Sequence, residues 1–358
     1  MMPKKNPRFV FKTIFAGFLI CLFVPAFAAS QTPYYRGKTI TLVYGSSPGG
    51  TGDMRIKSII NHFKKHIPGN PNIVVEYMPG GGGRKAANHV FHTGASADGL
   101  ILGAMTSALV PGAILGESGV LYDLDKFIYL GSPYSGVQYV FVTNKKAGLD
   151  SLEKLRATSG VRIGAQSVGH IVYNSGRIFA YLLGMKEPKF ITGYSGKEVD
   201  IALMSGEVDA RANIPDTIVR RASDWIEKEL VDFHAILEAP KGQTFPHPLF
   251  AKLPELESFA KSESERKLLD MYRRFAMVGS PLVVPPGTAR DKVQILKDAI
   301  VRTFKDPEFQ KEYQKFTGEE ATPLMPDEQH KTVAGLPRDP AIVDLFKKLS
   351  GPGPLPSR

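Results

Sequence analysis

A run of small and hydroxyl-bearing residues carries the first candidate chemistry: Ser47-Pro48-Gly49-Gly50-Thr51-Gly52-Asp53. It follows a β-rich stretch, Thr39 to Tyr44, and precedes a helical pattern from Met54. A helix N-terminus presents unpaired N–H groups and a partial positive charge. We interpret the loop as a site for a carboxylate or phosphate. The alternative is an ordinary turn with Asp53 stabilising the helix dipole. No Gly-Lys-Ser/Thr follows, which excludes a P-loop.

A second loop has the same setting and two competing interpretations. Gln166-Ser167-Val168-Gly169-His170 follows the strand pattern Val161 to Ala165 and precedes a helical pattern that runs to Leu183. With Ala165 in place of the first glycine, it is one residue away from the G-x-S-x-G nucleophile elbow. Acidic residues and histidines follow in the order of α/β-hydrolases: Asp209, Asp216 and Asp224, then His234 and His247. The other interpretation makes the Ser167 hydroxyl a donor to an anion bound at the helix start.

Other motifs carry less chemistry. Gly80 to Gly83, continued through Ala86, fits the spacing G-x-G-x-x-A of dinucleotide sites, but four consecutive glycines match many patterns, and a tight turn is favoured. The spacings of His62 with His66 and of His89 with His92 place each pair on one helix face. Neither has the H-E-x-x-H arrangement, so we expect solvated helix faces, no metal and no cofactor.

The N-terminus has the layout of a secretory signal peptide over residues 1–28. Basic residues precede the short apolar run Thr13 to Val24, and Ala26-Phe27-Ala28 supplies the cleavage site. Cleavage removes Lys4, Lys5, Arg8, Lys12 and the single cysteine, Cys21, and lowers the formal net charge from +10 to +6. We expect an exported, periplasmic protein. The remaining basic residues are scattered, which argues against a nucleic-acid partner and fits a mildly positive cleft for an anionic small molecule.

These loops need strands and helices to position them. Short apolar runs end in Gly-, Ser- or Pro-rich turns and lead into helical patterns, an alternation typical of α/β proteins with largely parallel sheets. A length of 358 residues suffices for two domains. Residues 350–358, rich in Pro and Gly, are predicted to be a flexible tail.

An ordered series of motifs resembles the Bug family, the periplasmic solute receptors of tripartite tricarboxylate transporters. In chain order the motifs are Tyr35–Ile40 (YRGKTI), Pro48–Asp53 (PGGTGD), Val74–Gly83 (VVEYMPGGGG), Asp98-Gly99, Ile163–His170 (IGAQSVGH), Tyr194-Ser195-Gly196, Leu203–Asp209 (LMSGEVD), Pro285–Thr288 (PPGT) and Asp306–Glu308 (DPE). Three features depart from the family pattern: Ile56-Lys57 after the first loop, Tyr77 after Glu76, and an unusual segment over Phe245–Ser264.

The resemblance implies a two-lobed α/β fold of the periplasmic-binding-protein type II, or Venus-flytrap, class. Each lobe would have a βα sheet core, and two crossing strands would form the hinge. Lobe I would be discontinuous, with residues 31–138 plus 272–340, and lobe II would hold residues 139–271. The ligand would lie between the lobes, bound by Ser47–Asp53 of lobe I and Gln166–His170 of lobe II. Thr106, Ser107 and Asp209 would line the walls.

The function expected from this resemblance is that of a receptor and not of an enzyme. It would capture a small organic carboxylate by lobe closure and deliver it, as a monomer, to inner-membrane transporter subunits. A receptor that serves a sensor kinase is an open alternative. A secreted serine hydrolase using Ser167 is the alternative from another functional class.

Overall fold

A computed structural model of the protein describes Met1, Pro3 and residues 32–93 and 98–358. Apart from Met1 and Pro3, the predicted signal peptide lies outside the described residues. Residues Pro33–Arg358 form one compact unit. No helix among the described residues is both long and apolar enough to cross a bilayer.

Ten strands in the described residues form two five-stranded sheets. The first sheet contains β1 (Thr39–Tyr44), β2 (Asn72–Tyr77), β3 (Ile101–Ala104), β4 (Ile128–Gly131) and β10 (Leu282–Val284). The second contains β5 (Tyr139–Asn144), β6 (Arg162–Gly164), β7 (Lys189–Ile191), β8 (Ala210–Asn213) and β9 (Val231–Leu237). The α/β class predicted from the alternating pattern is confirmed, and the two sheets agree with the two sheet cores that the resemblance implies.

Strand order shows how the chain builds each sheet. The first has the order β2-β1-β3-β10-β4. Strand β1 is parallel to both β2 and β3, whereas β10 is antiparallel to both β3 and β4. The second has the order β7-β6-β8-β5-β9. Strand β6 is parallel to both β7 and β8, whereas β5 is antiparallel to both β8 and β9. The chain therefore leaves the first sheet after β4, forms the whole second sheet, and returns through β10.

Helices connect these strands and cover the sheets. They are α1 (Thr51–His66), α2 (Arg84–His92), α3 (Leu109–Ile114), α4 (Leu152–Ala157), α5 (Ile171–Leu183), α6 (Gly196–Ser205), α7 (Pro215–Arg221), α8 (Asp224–Glu227), α9 (Glu263–Val278), α10 (Arg290–Lys305), α11 (Pro307–Thr317), α12 (Pro326–Ala334) and α13 (Pro340–Ser350). The predicted lobe boundary between 271 and 272 falls inside α9, so one continuous helix crosses that position.

Alternation along β1 shows why helices are needed on both faces of the first sheet. Successive side chains of a strand point to opposite faces. Leu42 packs in one apolar cluster with Ile59 of α1 and Ile300 of α10, whereas Val43 packs in another with Val90 of α2. Both faces are therefore apolar and covered, as expected for parallel strands that helices flank on both sides. Each sheet is nevertheless mixed, with two parallel and two antiparallel pairings, and not largely parallel as the sequence predicts.

The unusual segment over Phe245–Ser264 covers the outer strand of the second sheet. The N–H of Ile236 on β9 donates to the carbonyl of Pro254 at 3.1 Å. Arg273 of α9 holds the segment in place through the carboxylates of Glu255 at 2.7 Å and Glu257 at 2.6 Å. An exposed strand edge invites pairing with other chains, so the segment protects an edge that would otherwise be open.

The C-terminal residues, predicted to be a flexible tail, make specific hydrogen bonds to α5 and α9. Although residues 351–358 lack regular secondary structure, the carbonyl of Gly353 accepts a hydrogen bond at 2.8 Å from Arg177, which is 1% exposed on α5. Arg358 binds the buried carboxylate of Glu265 on α9 and the carbonyl of Leu182 on α5, each at 2.7 Å. A buried guanidinium requires partners, and tail carbonyls supply them. The sequence pattern did not show this because Arg177 lies far away along the chain.

We expect Arg358→Ala to lower the free energy of unfolding by about 3 kcal/mol, because it leaves the buried Glu265 carboxylate without its charged partner. The matched control is Arg338→Ala, which breaks the half-exposed pair with Asp125 and should cost less than about 1 kcal/mol. Urea denaturation of both variants measures the difference. Equal losses would mean that the tail contributes no more than a surface ion pair.

Candidate functional site

Three loops of the first sheet meet at the edge where its parallel strands end. The loops follow β1, β2 and β3, and the carboxyl ends of parallel strands lie at the same edge. The N–H of Met78 after β2 donates to the Tyr44 carbonyl at 2.9 Å, and the Thr106 hydroxyl after β3 donates to the Gly82 carbonyl at 2.7 Å. The predicted loop at Ser47–Asp53 therefore lies beside the four-glycine turn and Thr106-Ser107.

The start of α1 leaves backbone N–H groups free of side-chain caps. Its N-cap residue is Gly50, which has no side chain to accept from the first turn. Gly49 adopts a left-handed backbone conformation with φ of 88°, which favours glycine. A Cβ on Gly52 would lie 2.0 Å from the Tyr44 hydroxyl oxygen. The glycines thus let the loop close over Tyr44, while Ser47–Gly50 stay exposed. This is the anion-site geometry that the sequence predicts.

Asp53 organises this loop. Its Oδ2 accepts hydrogen bonds from the Gly49 N–H and the Lys57 ammonium, both at 2.8 Å, and its Oδ1 accepts from the Tyr77 hydroxyl at 2.7 Å. Burial opposes ionisation, but these three donors outweigh it and lower the pKa of Asp53. A buried carboxylate with both oxygens occupied positions the loop rather than binding an anion. Two departures from the family pattern, Lys57 and Tyr77, are its partners.

The second sheet presents a matching edge. The loop Gln166–His170 follows β6, and the carbonyl of Gln166 accepts from the N–H of Gly193 after β7 at 2.7 Å. Ser167 and Val168 are exposed at the tip, and Gly169 has a left-handed φ of 79°. The side-chain Oε1 of Gln166 is buried without a hydrogen-bond partner. The loop therefore carries an exposed hydroxyl and an unpaired amide oxygen at the start of α5.

His170 caps α5 with its ring. The Nδ1 atom accepts from the N–H of Val172 at 3.2 Å. Burial and the positive charge of Arg211 lower the pKa of His170 to about 4, so the ring is neutral at pH 7. Because Nδ1 is an acceptor, the ring proton lies on Nε2. The ring therefore has one N–H that is free to donate to an anionic ligand.

The two edges face each other. A Cβ on Gly169 would lie 3.4 Å from Oε1 of Glu117, which follows α3 in the first half of the chain. Glu117 is paired with Arg84 at the start of α2. Residues on opposite sides thus come within contact distance between the two sheets. The motifs did not reveal this pair, since Glu117 lies in an ordinary Gly-Glu-Ser-Gly turn.

Positive charge at the site is balanced by the protein's own carboxylates. Arg84 pairs with Glu117, Lys57 with Asp53, and the buried Arg211 with Asp200. The local charges therefore do not form the mildly positive cleft that we expect from the sequence. Neutral donors, namely backbone N–H groups, hydroxyls and the His170 ring, are the groups left to bind an anion.

Asp209 does not lie at this edge, which corrects its assignment as a wall residue. It precedes β8, and its carboxylate accepts hydrogen bonds from the backbone N–H of Arg162 at 2.8 Å and from the Arg162 Nε at 3.0 Å. Arg162 begins β6, and β6 is parallel to β8. Asp209 therefore lies at the amino end of these strands, opposite the Gln166–His170 loop that follows their carboxyl ends.

The hydrolase alternative is unsupported, because its histidines have other partners. His234 lies on β9 and is 5% exposed, and its Nε2 is 2.8 Å from the Thr143 hydroxyl. The ring of His247 packs on Phe250, and its Nδ1 accepts from the Leu249 N–H at 3.3 Å. A triad needs a histidine within hydrogen-bond reach of the serine. The bonds that the structure gives to these rings do not include Ser167.

Solved structures of periplasmic binding proteins have the same fold. The structure of the periplasmic binding protein BugD aligns with a TM-score of 0.64 and 18% identity, over 88% of this chain and 98% of that one. MatC from Rhodopseudomonas palustris with bound malate aligns with a TM-score of 0.61 and 19% identity, over 88% and 99%. A TctC solute-binding protein from Polaromonas gives 0.59 and 16%, over 88% and 98%.

The chain therefore has the two-lobed fold of the Bug and TctC periplasmic solute-binding proteins. The fold implied by the motif series is confirmed at this level. No protein-family profile matches the chain, and no curated protein matches it by sequence.

Replacement of Asp53 should loosen the first loop. We expect Asp53→Ala to accelerate hydrogen exchange at the Gly49 amide at least tenfold, because that N–H loses its acceptor. Tyr77→Phe is the matched control: it removes a different donor to Asp53 and should leave the Gly49 amide protected. Exchange measured by NMR distinguishes the two, and equal exchange in both variants would contradict a positioning role for Asp53.

The pH dependence of stability should contain a contribution from His234. Burial lowers the pKa of His234 to about 4, against the raising effect of Asp232 and Asp150. In the unfolded chain the ring binds a proton below about pH 6.5. Stability is thus lost as the pH falls from 6.5 towards 4, by about 2.5 kcal/mol at pH 4.5 for this one group. Thermal or urea denaturation of His234→Gln should show a correspondingly smaller loss. An unchanged pH profile would contradict the buried, neutral ring.

Proposed function

We propose that this protein is an extracytoplasmic solute-binding receptor for a small organic carboxylate. The observation that carries the proposal is the pair of helix starts, α1 and α5, at facing edges of the two sheets. The first turn of α1 has no side-chain cap, and the loop before α5 exposes Ser167 beside the His170 ring. These neutral donors suit a carboxylate, which accepts several hydrogen bonds at once.

Binding would use residues from both sides of the cleft. On the first side we assign Ser47, Pro48, Gly49, Gly50 and Thr51 as the loop that contacts the ligand, with Thr106 and Ser107 beside it and Asp53 as its support. On the second side we assign Gln166, Ser167, Val168, Gly169 and His170. Closure of the lobes over the solute needs no covalent step, so we propose no catalytic residue and no cofactor.

Known relatives by fold support the ligand class. Two of the similar structures hold a carboxylate, malate in MatC and adipate in a second protein from R. palustris. For this chain we propose delivery of such a solute, by a monomer in the periplasm, to the membrane subunits of a tripartite tricarboxylate-type transporter. A sensor kinase is the alternative partner for the same closed, ligand-bound form.

The ligand class is tested with a panel of mono-, di-, tri- and aromatic carboxylates in a thermal-shift screen of the mature chain. At about 100 times its dissociation constant, a ligand adds roughly 2.7 kcal/mol of stability. At least one carboxylate should therefore raise the melting temperature by several degrees. Failure of every carboxylate would overturn the proposal, as would hydrolysis of activated esters that Ser167→Ala abolishes.

The role of the α1 backbone is tested by removing one N–H group. Thr51 is the first residue of α1, and proline is tolerated at that position. Gly50 before it has φ −85° and ψ 173°, an extended conformation that proline accepts. We expect Thr51→Pro to weaken carboxylate binding about tenfold or more in calorimetry, because a charge-assisted hydrogen bond is lost.

Two controls accompany this variant. Thr51→Val removes the hydroxyl but keeps the N–H. It therefore distinguishes the contribution of the side chain to binding from that of the backbone. Glu263→Pro makes the same change at the first position of α9, which is not part of the site, and should bind like the unmodified protein. If Thr51→Pro and Glu263→Pro bind equally well, the helix start of α1 does not hold the ligand.

A further inference from the structure

Histidine and carboxylate side chains converge between the C-terminal half of α1 and the start of α11. They are His62 and His66 of α1 and Asp306, Glu308 and Glu312 from the returning part of the chain. His62 lies about three turns along α1 from Thr51, so this cluster is separate from the ligand site. The ring of His62 is nearly fully buried, with 2% of its side chain exposed, and it packs edge-on against Phe309.

Two histidine nitrogens in this cluster lie near the same atom, Oδ2 of Asp306. Nδ1 of His62 lies 3.4 Å from this oxygen, and Nε2 of His66 lies 3.6 Å from it. One ligand atom each from His62, Asp306 and Glu308 lie within 4.8 Å of one another. Around a tetrahedral zinc ion with bonds of about 2.0–2.1 Å, neighbouring ligand atoms are about 3.3–3.4 Å apart. The two histidine nitrogens lie at about this spacing from Oδ2 of Asp306, and the His62 contact has the length of a long hydrogen bond in the absence of an ion.

The neighbouring carboxylate Glu312 orients His62 for metal binding. Its Oε2 lies 2.7 Å from Nε2 of His62. In the neutral ring the proton is therefore on Nε2, and Nδ1 directs its lone pair at the Asp306 oxygen. Metal-binding histidines in proteins donate their second ring N–H to a carboxylate in this way. Two acceptor atoms then face each other across 3.4 Å, an arrangement that a cation between them stabilises.

Each remaining atom has a place in the same arrangement. Nε2 of His66 is buried and has no hydrogen-bond partner. Oδ1 of Asp306 caps α11 by accepting from the Glu308 N–H at 2.9 Å. The other oxygen, Oδ2, is therefore the one that faces the two histidines. The Glu308 carboxylate is exposed and lies 4.0 Å from the Lys65 ammonium. Lys65 therefore competes with a metal for Glu308.

We propose that His62 Nδ1, Asp306 Oδ2 and the Glu308 carboxylate form a binding site for Zn²⁺, and that His66 Nε2, 3.6 Å from Asp306 Oδ2, joins them as the fourth ligand by a side-chain rotation. Two imidazoles and two carboxylates suit zinc better than Mg²⁺ or Ca²⁺, which prefer oxygen ligands. The ion would link α1, near the beginning of the first sheet, to α11, which the chain reaches only after its return. Its role would be to stabilise the contact between α1 and α11, independently of the carboxylate ligand.

The test is calorimetric and thermal-shift titration of the untagged mature chain with Zn²⁺, after treatment with a chelator. Asp306→Asn keeps a good helix cap but removes the charged ligand, and we expect it to weaken Zn²⁺ binding at least tenfold. His66→Gln should do the same, and Glu312→Gln should weaken binding 10- to 100-fold through the orientation of His62. Lys65→Met should strengthen binding, because Glu308 loses its competing cation.

The matched control is the double variant His89→Gln/His92→Gln on α2. It removes the other histidine pair, and Zn²⁺ binding should be unchanged. Equal zinc affinity in the unmodified chain, Asp306→Asn and His66→Gln would overturn the site, as would equal stabilisation by Mg²⁺. Since the partly exposed His66 carries the test alongside Asp306, misfolding of a buried His62 variant does not affect it.

Discussion

The first sheet is completed by a strand that arrives only after the second sheet has been made. β10 inserts antiparallel between β3 and β4, and without it β4 would have no partner in that sheet. The chain must therefore pass between the sheets in both directions. This constraint produces the two-lobed arrangement, puts α10 and α11 against α1, and makes the first half of the structure depend on residues from the end of the chain.

A consequence of parallel pairing within each sheet is that the βα loops collect at one edge. In the first sheet β1, β2 and β3 end together, and in the second β6, β7 and β8 do so. Where these edges face each other, the available donors are mostly neutral. Arg84, Lys57 and Arg211 already have carboxylate partners. Recognition of a carboxylate would then depend on the geometry of N–H and O–H groups, which discriminates shape better than a diffuse positive field does.

Buried ionic groups elsewhere join parts of the chain that are far apart in sequence. Arg55 of α1 binds the buried Glu319 carboxylate at 2.6 Å and stacks on the ring of Tyr134 at 3.8 Å. Arg177 and Arg358 attach the C-terminal residues to α5 and α9. Each removes a charge from water, and that cost is offset only by several well-placed partners. Such groups therefore specify which segments meet.

Local sequence by itself determined the strand–loop–helix units, because an apolar run followed by a glycine-rich turn is compatible with few local backbone structures. This is why Ser47–Asp53 and Gln166–His170 could be placed at helix starts from the sequence alone. The same reasoning misplaced Asp209, since a motif shows that a residue precedes a strand but not which edge of the sheet its side chain reaches. It also missed Glu117 and the docking of Arg358. Only the tertiary structure brought Asp306 to His62 and Lys57 and Tyr77 to Asp53, because pairings between distant segments depend on the packing of the whole chain rather than on local pattern.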